Sequence, residues 1–80
     1  MWVLTEDGDL VNLDLVATLT IEERADGAEH LLMAGGERWQ VVVARGRRTD
    51  KLEALLRQIA REIDADVVGV FDVRTGKGAA

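Results

Sequence analysis

The chain has 80 residues, a formal net charge of −5 from 15 acidic and 10 basic side chains, one histidine and no cysteine. That length makes one compact core with no room for a second, and a chain so short buries only about 60% of the surface its unfolded form exposes, a margin that disulfides, metal or a partner often supplement. The missing cysteines exclude disulfides and zinc sites built from Cys and His, which leaves self-association as the expected supplement.

In chain order, Met1-Trp2-Val3-Leu4-Thr5, Glu6-Asp7-Gly8-Asp9 and Leu10-Val11-Asn12-Leu13 read as a strand, an Asp-Gly turn and a second strand. Gly8 supplies the positive φ that such a turn demands. Val11, Leu13, Leu15, Ala17, Leu19 and Ile21 place an apolar residue at every odd position, a period of two sustained too long for one ordinary strand. A corner is therefore expected within 12–16, with Asn12 or Asp14 bonding the local backbone, followed by a third strand over 17–22. The polar segment 22–29, with a second Asp-Gly at 26–27, returns the chain into a fourth strand over 30–34. Gly35-Gly36 turns it again, and Trp39, Val41 and Val43 alternate with Gln40, Val42 and Ala44 in a β-branched fifth strand. Up to this point the chain reads as an antiparallel meander.

After Arg45-Gly46-Arg47-Arg48 the period changes. Leu52, Leu55, Leu56, Ile59, Ala60 and Ile63 follow the spacing of an amphipathic helix, which the pattern predicts over 51–64 with Leu55, Leu56, Ile59 and Ile63 pointing onto the sheet. Asp50 and Glu53 fit a capping box, with Thr49 as the competing cap. The β-rich segment 67–73 predicts a sixth strand, and 74–80, lacking apolar content, a frayed tail. The expected fold is a single α+β domain over 1–80: an antiparallel β-meander, as a twisted sheet or partly closed small barrel, packed by one amphipathic helix, with a final strand after the helix.

The opening from Trp2 to Asp14 resembles a set of small uncharacterised bacterial proteins that begin W-[VI]-x-T-x-D-G-x-[LI]-[VI]-N-L-D and continue as short strands with one late helix. More distantly, the order of hairpin, Asn-containing corner, further strands and helix is similar to the small flagellar swarming-motility proteins. The first resemblance covers about the first twenty residues and implies no known activity; the second rests on element order.

Several chemistries are excluded by composition. With no serine, no cysteine, two lysines and one histidine, a hydrolase triad cannot be assembled. Fifteen acids leave acid–base work open in principle, but it needs a walled cleft that a domain this small rarely encloses, so no enzyme activity is expected. The acidic loop Glu6-Asp7-Gly8-Asp9 lacks the ligand spacing of a calcium loop, because Leu10 and Val11 follow Asp9. Gly76-Lys77-Gly78 misses the spacing of a phosphate loop on both sides. No cofactor or metal is expected. The acidic balance argues against a general nucleic-acid binder. No apolar run approaches the ~18 residues of a membrane span and no basic-then-apolar leader opens the chain, so the expected setting is the cytoplasm, without membrane contact.

Two sets of residues remain as candidate sites. Arg45, Arg47 and Arg48, in a glycine-bearing loop before a helix N-terminus, are candidates for binding a small anion or phospho-ligand. Trp2, Val68, Val70 and Phe71 are candidates for an interface: the segment 67–73 is apolar on both faces, the helix covers one face of the sheet, and a homodimer would cover the other. Trp2 and Trp39 are open to two readings, as core or as interface. Charge is uneven, with nine acids and two bases over 1–44 and six acids and eight bases over 45–80. The sequence thus points to a non-enzymatic, self-associating interaction module, with anion binding at the basic loop as the alternative. Docking of the acidic hairpins on a basic protein partner is a third reading.

Overall fold

The Asp7-Gly8 turn sets the first strand pairing. In the computed structural model, which describes residues 1–24, 27–66 and 68–79, β1 (Trp2–Leu4) pairs antiparallel with β2 (Leu10–Asn12). Gly8 takes φ 92°, and the buried Thr5 closes the turn: its hydroxyl accepts from the Asp9 N–H at 3.0 Å and its own N–H donates to the Asp9 carbonyl at 2.8 Å. The expected corner follows. The Asn12 side chain accepts from the Asp14 N–H at 3.0 Å and caps a single 3-10 turn, Leu13–Leu15.

That corner divides what the sequence suggested as one meander into two open sheets. β3 (Thr18–Glu23), β4 (His30–Gly35) and β5 (Gln40–Gly46) form an antiparallel sheet of their own, in that order. The turn between β3 and β4 is closed by the Arg24 N–H donating to the Glu29 carbonyl at 2.9 Å, with Gly27 at φ 69°; Ala25 and Asp26 lie outside the described residues. α1 (Thr49–Asp64) lies against this sheet and carries the chain back to the other one. There β6 (Val70–Asp72) runs parallel to β1, a geometry that only a long crossover such as α1 permits, and β7 (Lys77–Ala79) pairs antiparallel with β6. The strand order is β2-β1-β6-β7, and neither sheet closes into a barrel.

The ending differs from expectation in two ways. The strand after the helix is three residues long, shorter than the expected 67–73, and sits between β1 and β7; Val67 lies outside the described residues. Lys77–Ala79 is a strand and not a frayed tail, because the backbone ladder to β6 requires no apolar side chains, and Gly76 at φ 69° makes the turn.

Side chains from both sheets and the helix meet in one core. Val3, Val11, Leu32, Val43, Leu52, Ile59 and Phe71 are among its buried members. On α1, Leu52, Leu55 and Ile59 are buried and Leu56 half-buried, as the stripe predicts, but Ile63 is exposed. It lies at the helix end, beside Leu13 and Leu19 at the margin of the core. The helix begins earlier than expected, at Thr49. Arg48 is its N-cap, with no side-chain capping bond, so Thr49 and Asp50 lie within the first turn rather than capping it. There the Asp50 carboxylate still meets the positive end of the helix dipole.

Candidate functional site

The basic loop is the first place to look, and two of its three arginines meet. Arg45, near the end of β5, and Arg47, just past it, line an open polar depression of about 400 Å³ with Glu29, Ala28 and Gly46. Arg48 stands apart at the helix start and is exposed. The charge of Arg45 is already engaged. Its Nη1 lies 2.7 Å from both carboxylate oxygens of Asp7, and its Nε lies 3.7 Å from Glu29. The hydrogen bond and charge of Asp7, helped by Glu29 and Glu6, raise the Arg45 pKa further above its already high ordinary value. An anion entering this depression would meet the Glu29 carboxylate in its wall and would have to compete with Asp7 for Arg45.

The interface candidates separate. Phe71 is 1% exposed and fills the core, so it offers nothing to a partner; β6 is covered by strands on both sides and its Phe71 face by the core. Val70 is half-buried in the same central strand. Val68 is exposed, outside the strand. Trp2 is 44% exposed and belongs to a different surface altogether.

That surface is an open apolar groove of about 360 Å³, lined by Trp2, Leu10, Val11, Leu15, Trp39 and Val41, with Asp9 and Asn12 at its polar side. The strand register explains its composition. Trp2 opposes Asn12 and Leu4 opposes Leu10, so these share one face of the β1–β2 hairpin, while Val3 and Val11 occupy the other and enter the core. Leu10 is 58% and Leu15 69% exposed, and Trp39 in the β4–β5 turn is 40% exposed. Gly36 seats the Trp39 indole: a Cβ added there would collide with the indole Nε1 and Cε2, so only glycine lets the ring lie across this turn. The Gly36 N–H, in turn, donates to the Trp39 carbonyl at 3.0 Å.

The sequence reading picked out Trp2 and left Trp39 open between core and interface, and it missed Leu10, Leu15 and Val41 as their neighbours. A signal was present: within the first hairpin, one face carries Val3 and Val11 and the other mixes Trp2 and Leu10 with Asn12, which marks the second face as the solvated one.

Among the described residues no group of three acidic, histidine or cysteine side chains is placed to hold a metal ion, and no helix is long and apolar enough to cross a membrane. Comparison with known proteins finds no family model, no curated protein and no solved structure that matches this chain.

Proposed function

We propose that this chain is a non-enzymatic protein-interaction module whose contact face is the groove between Trp2 and Trp39. The observation that carries this reading is the exposure of Trp2, Leu10, Leu15 and Trp39 around one depression, in a protein whose Leu32, Val43, Leu52, Ile59 and Phe71 are buried in the core. Single exposed apolar residues are ordinary, but a contiguous set containing two tryptophans is the composition of an interface centre. Self-association belongs to this reading. With the β6 edge closed, the groove is the surface a second copy would use. The basic-loop alternative draws less support, because Asp7 and Glu29 already occupy Arg45, and among the described residues only Arg47 and Arg48 of the three arginines are without an ion pair.

The test compares the protein with a Leu10→Lys/Trp39→Lys double variant. Light scattering at tens of micromolar reads self-association, and cross-linking in the native host reads contacts with other proteins. The reading predicts that a dimer, a set of cross-links at the groove, or both will be present in the parent and lost in the folded variant. A monomeric parent whose cross-links survive unchanged in the variant would refute it.

A further inference from the structure

The groove is bounded by the free edges of two strands, and this gives its occupant a shape. In the β1–β2 hairpin the Thr5 N–H donates to the Asp9 carbonyl and the Leu13 N–H to the Met1 carbonyl. Alternation along an antiparallel ladder then makes Val3 and Val11 the bonded pair between them and turns the N–H and C=O of Leu10 and the N–H of Asn12 outward, away from β1. β2 is the last strand of its sheet, and among the described residues none pairs with that edge. The same alternation applies on β5. The Gly36–Trp39 bond makes Ala34 and Val41 a bonded pair and turns Gln40 and Val42 outward from β4, and β5 is also an edge.

Edges of this kind are commonly protected by lysine, proline or a covering element. Here they are flanked by two indoles and two exposed leucines instead. Outward backbone donors and acceptors beside apolar pockets are the recognition pattern of strand addition, in which the main chain supplies affinity and alternate side chains supply selectivity.

Charge separates the possible occupants. The groove lies wholly within 1–44, the region of nine acids and two bases, and Asp9 is the charged side chain that lines it. A two-fold contact between copies would set this acidic face against itself, whereas a cationic segment would be drawn to it. We propose, building on the interaction reading above, that the groove takes an extended segment of a protein partner in which apolar and basic residues alternate, added as a strand to the free edge of β2. Its apolar side chains lie against Trp2, Leu10 and Trp39, and a basic side chain reaches Asp9.

The probe is a short end-blocked peptide of alternating arginine and valine with a central phenylalanine. Three controls accompany it: the same peptide N-methylated at alternate amides, one with glutamate in place of arginine, and the Leu10→Lys/Trp39→Lys protein. Binding is read by tryptophan emission and by amide shifts in NMR spectra. The expected result is saturable binding that shifts the Leu10 and Asn12 amides. It should weaken roughly tenfold or more on N-methylation, as loss of one or two backbone hydrogen bonds implies, and disappear with the glutamate peptide and the double variant. Equal binding of the N-methylated peptide would overturn strand addition, and equal binding of the glutamate peptide would overturn the basic partner. If no peptide binds while the parent forms a dimer that the double variant cannot form, the occupant is a second copy; this inference then falls and the interaction reading stands. If no peptide binds, the parent is monomeric and its host cross-links are unchanged in the variant, both fall.

Discussion

Where the Asp7-Gly8 turn meets β5 the two sheets are joined, and a few residues along the same two strands they part. At the joined end the Glu6 N–H donates to the Val43 carbonyl at 2.9 Å, the Glu6 carboxylate accepts from the Arg45 N–H at 3.3 Å, and the Arg45 guanidinium holds Asp7 at 2.7 Å. At the open end Leu10 on β2 and Trp39 before β5 stand in solvent. A bulge accounts for part of the difference. Leu32 opposes Ala44 while Met33 opposes Val42, so Val43 is the extra residue on β5, and its carbonyl is turned outward to Glu6. Away from the bulge, among the described residues no such bridge forms between the edges, and Trp2, Leu10, Leu15 and Trp39 supply apolar side chains there. One end of the seam is therefore used to hold the fold together, and the other is left available.

The largest contrast should be between core and groove. Ile59→Ala, at a fully buried position, is expected to cost about 2 to 5 kcal/mol, read in urea melts. Leu56→Ala should cost less, because that side chain is only half-buried. Leu10→Lys is expected to stay within about 0.5 kcal/mol of the parent, as exposed surface substitutions do. A Leu10→Lys loss as large as that of Ile59→Ala would mean that the open end is part of the core and would dissolve the distinction.

Gly36→Ala sharpens the contrast from inside the groove. The new methyl group displaces the Trp39 indole, which has solvent to swing into, so a cost of about 1 kcal/mol is expected, at the low end of overpacking. The diagnostic change is optical and functional: tryptophan emission should move to longer wavelength, and binding at the groove should weaken. Unchanged emission would show that Gly36 does not seat the ring.

At the joined end, Asp7→Asn removes the charge that engages Arg45. The urea midpoint should fall by less than for Ile59→Ala, and the difference between parent and variant should shrink in about 1 M salt, where the screening length is roughly 3 Å. A difference that ignores salt would mean that the join depends on the backbone bonds of Glu6 and not on this ion pair.

How far the molecule could be read beforehand follows the range of its interactions. The Gly8 turn, the Asn12 corner and the buried stripe of Leu52, Leu55 and Ile59 are local: each depends on residues within a few positions and each was legible. The parallel pairing of β1 with β6 joins Val3 to Phe71 across most of the chain, and no period in the sequence reports it. The same reasoning covers the sites. Two of the partners of Arg45, Asp7 and Glu6, are 38 and 39 residues away, so the loop looked like an uncommitted cluster of cations. Phe71, in an apolar run, looked fit for an interface because the number of strands that would cover it was hidden. Trp2 and Trp39 were visible as large aromatics, but that they border one groove depends on how two separate sheets come together.

The smallest expected effect lies at the β6–β7 turn, far from either end of the seam, and it serves as a control on electrostatic readings of the joined end. The Asp72 carboxylate accepts from the Arg74 N–H at 2.9 Å and from the Arg74 guanidinium at 3.2 and 3.3 Å, and these bonds hold its pKa below the ordinary carboxylate value. A carboxyl whose folded pKa is depressed adds stability that is present above its unfolded pKa, about 3.9, and is lost as pH falls through the folded value. Asp72→Asn keeps an acceptor for the Arg74 N–H while removing the charge. The parent should therefore be slightly more stable than the variant at neutral pH, with the gap constant down to the carboxylate range and closing below it. Because the pair is exposed, the gap should be no larger than that produced by Asp7→Asn. If it instead opened or closed near neutral pH, a group other than Asp72 would be titrating, and the salt response of Asp7→Asn could no longer be assigned to Arg45 alone.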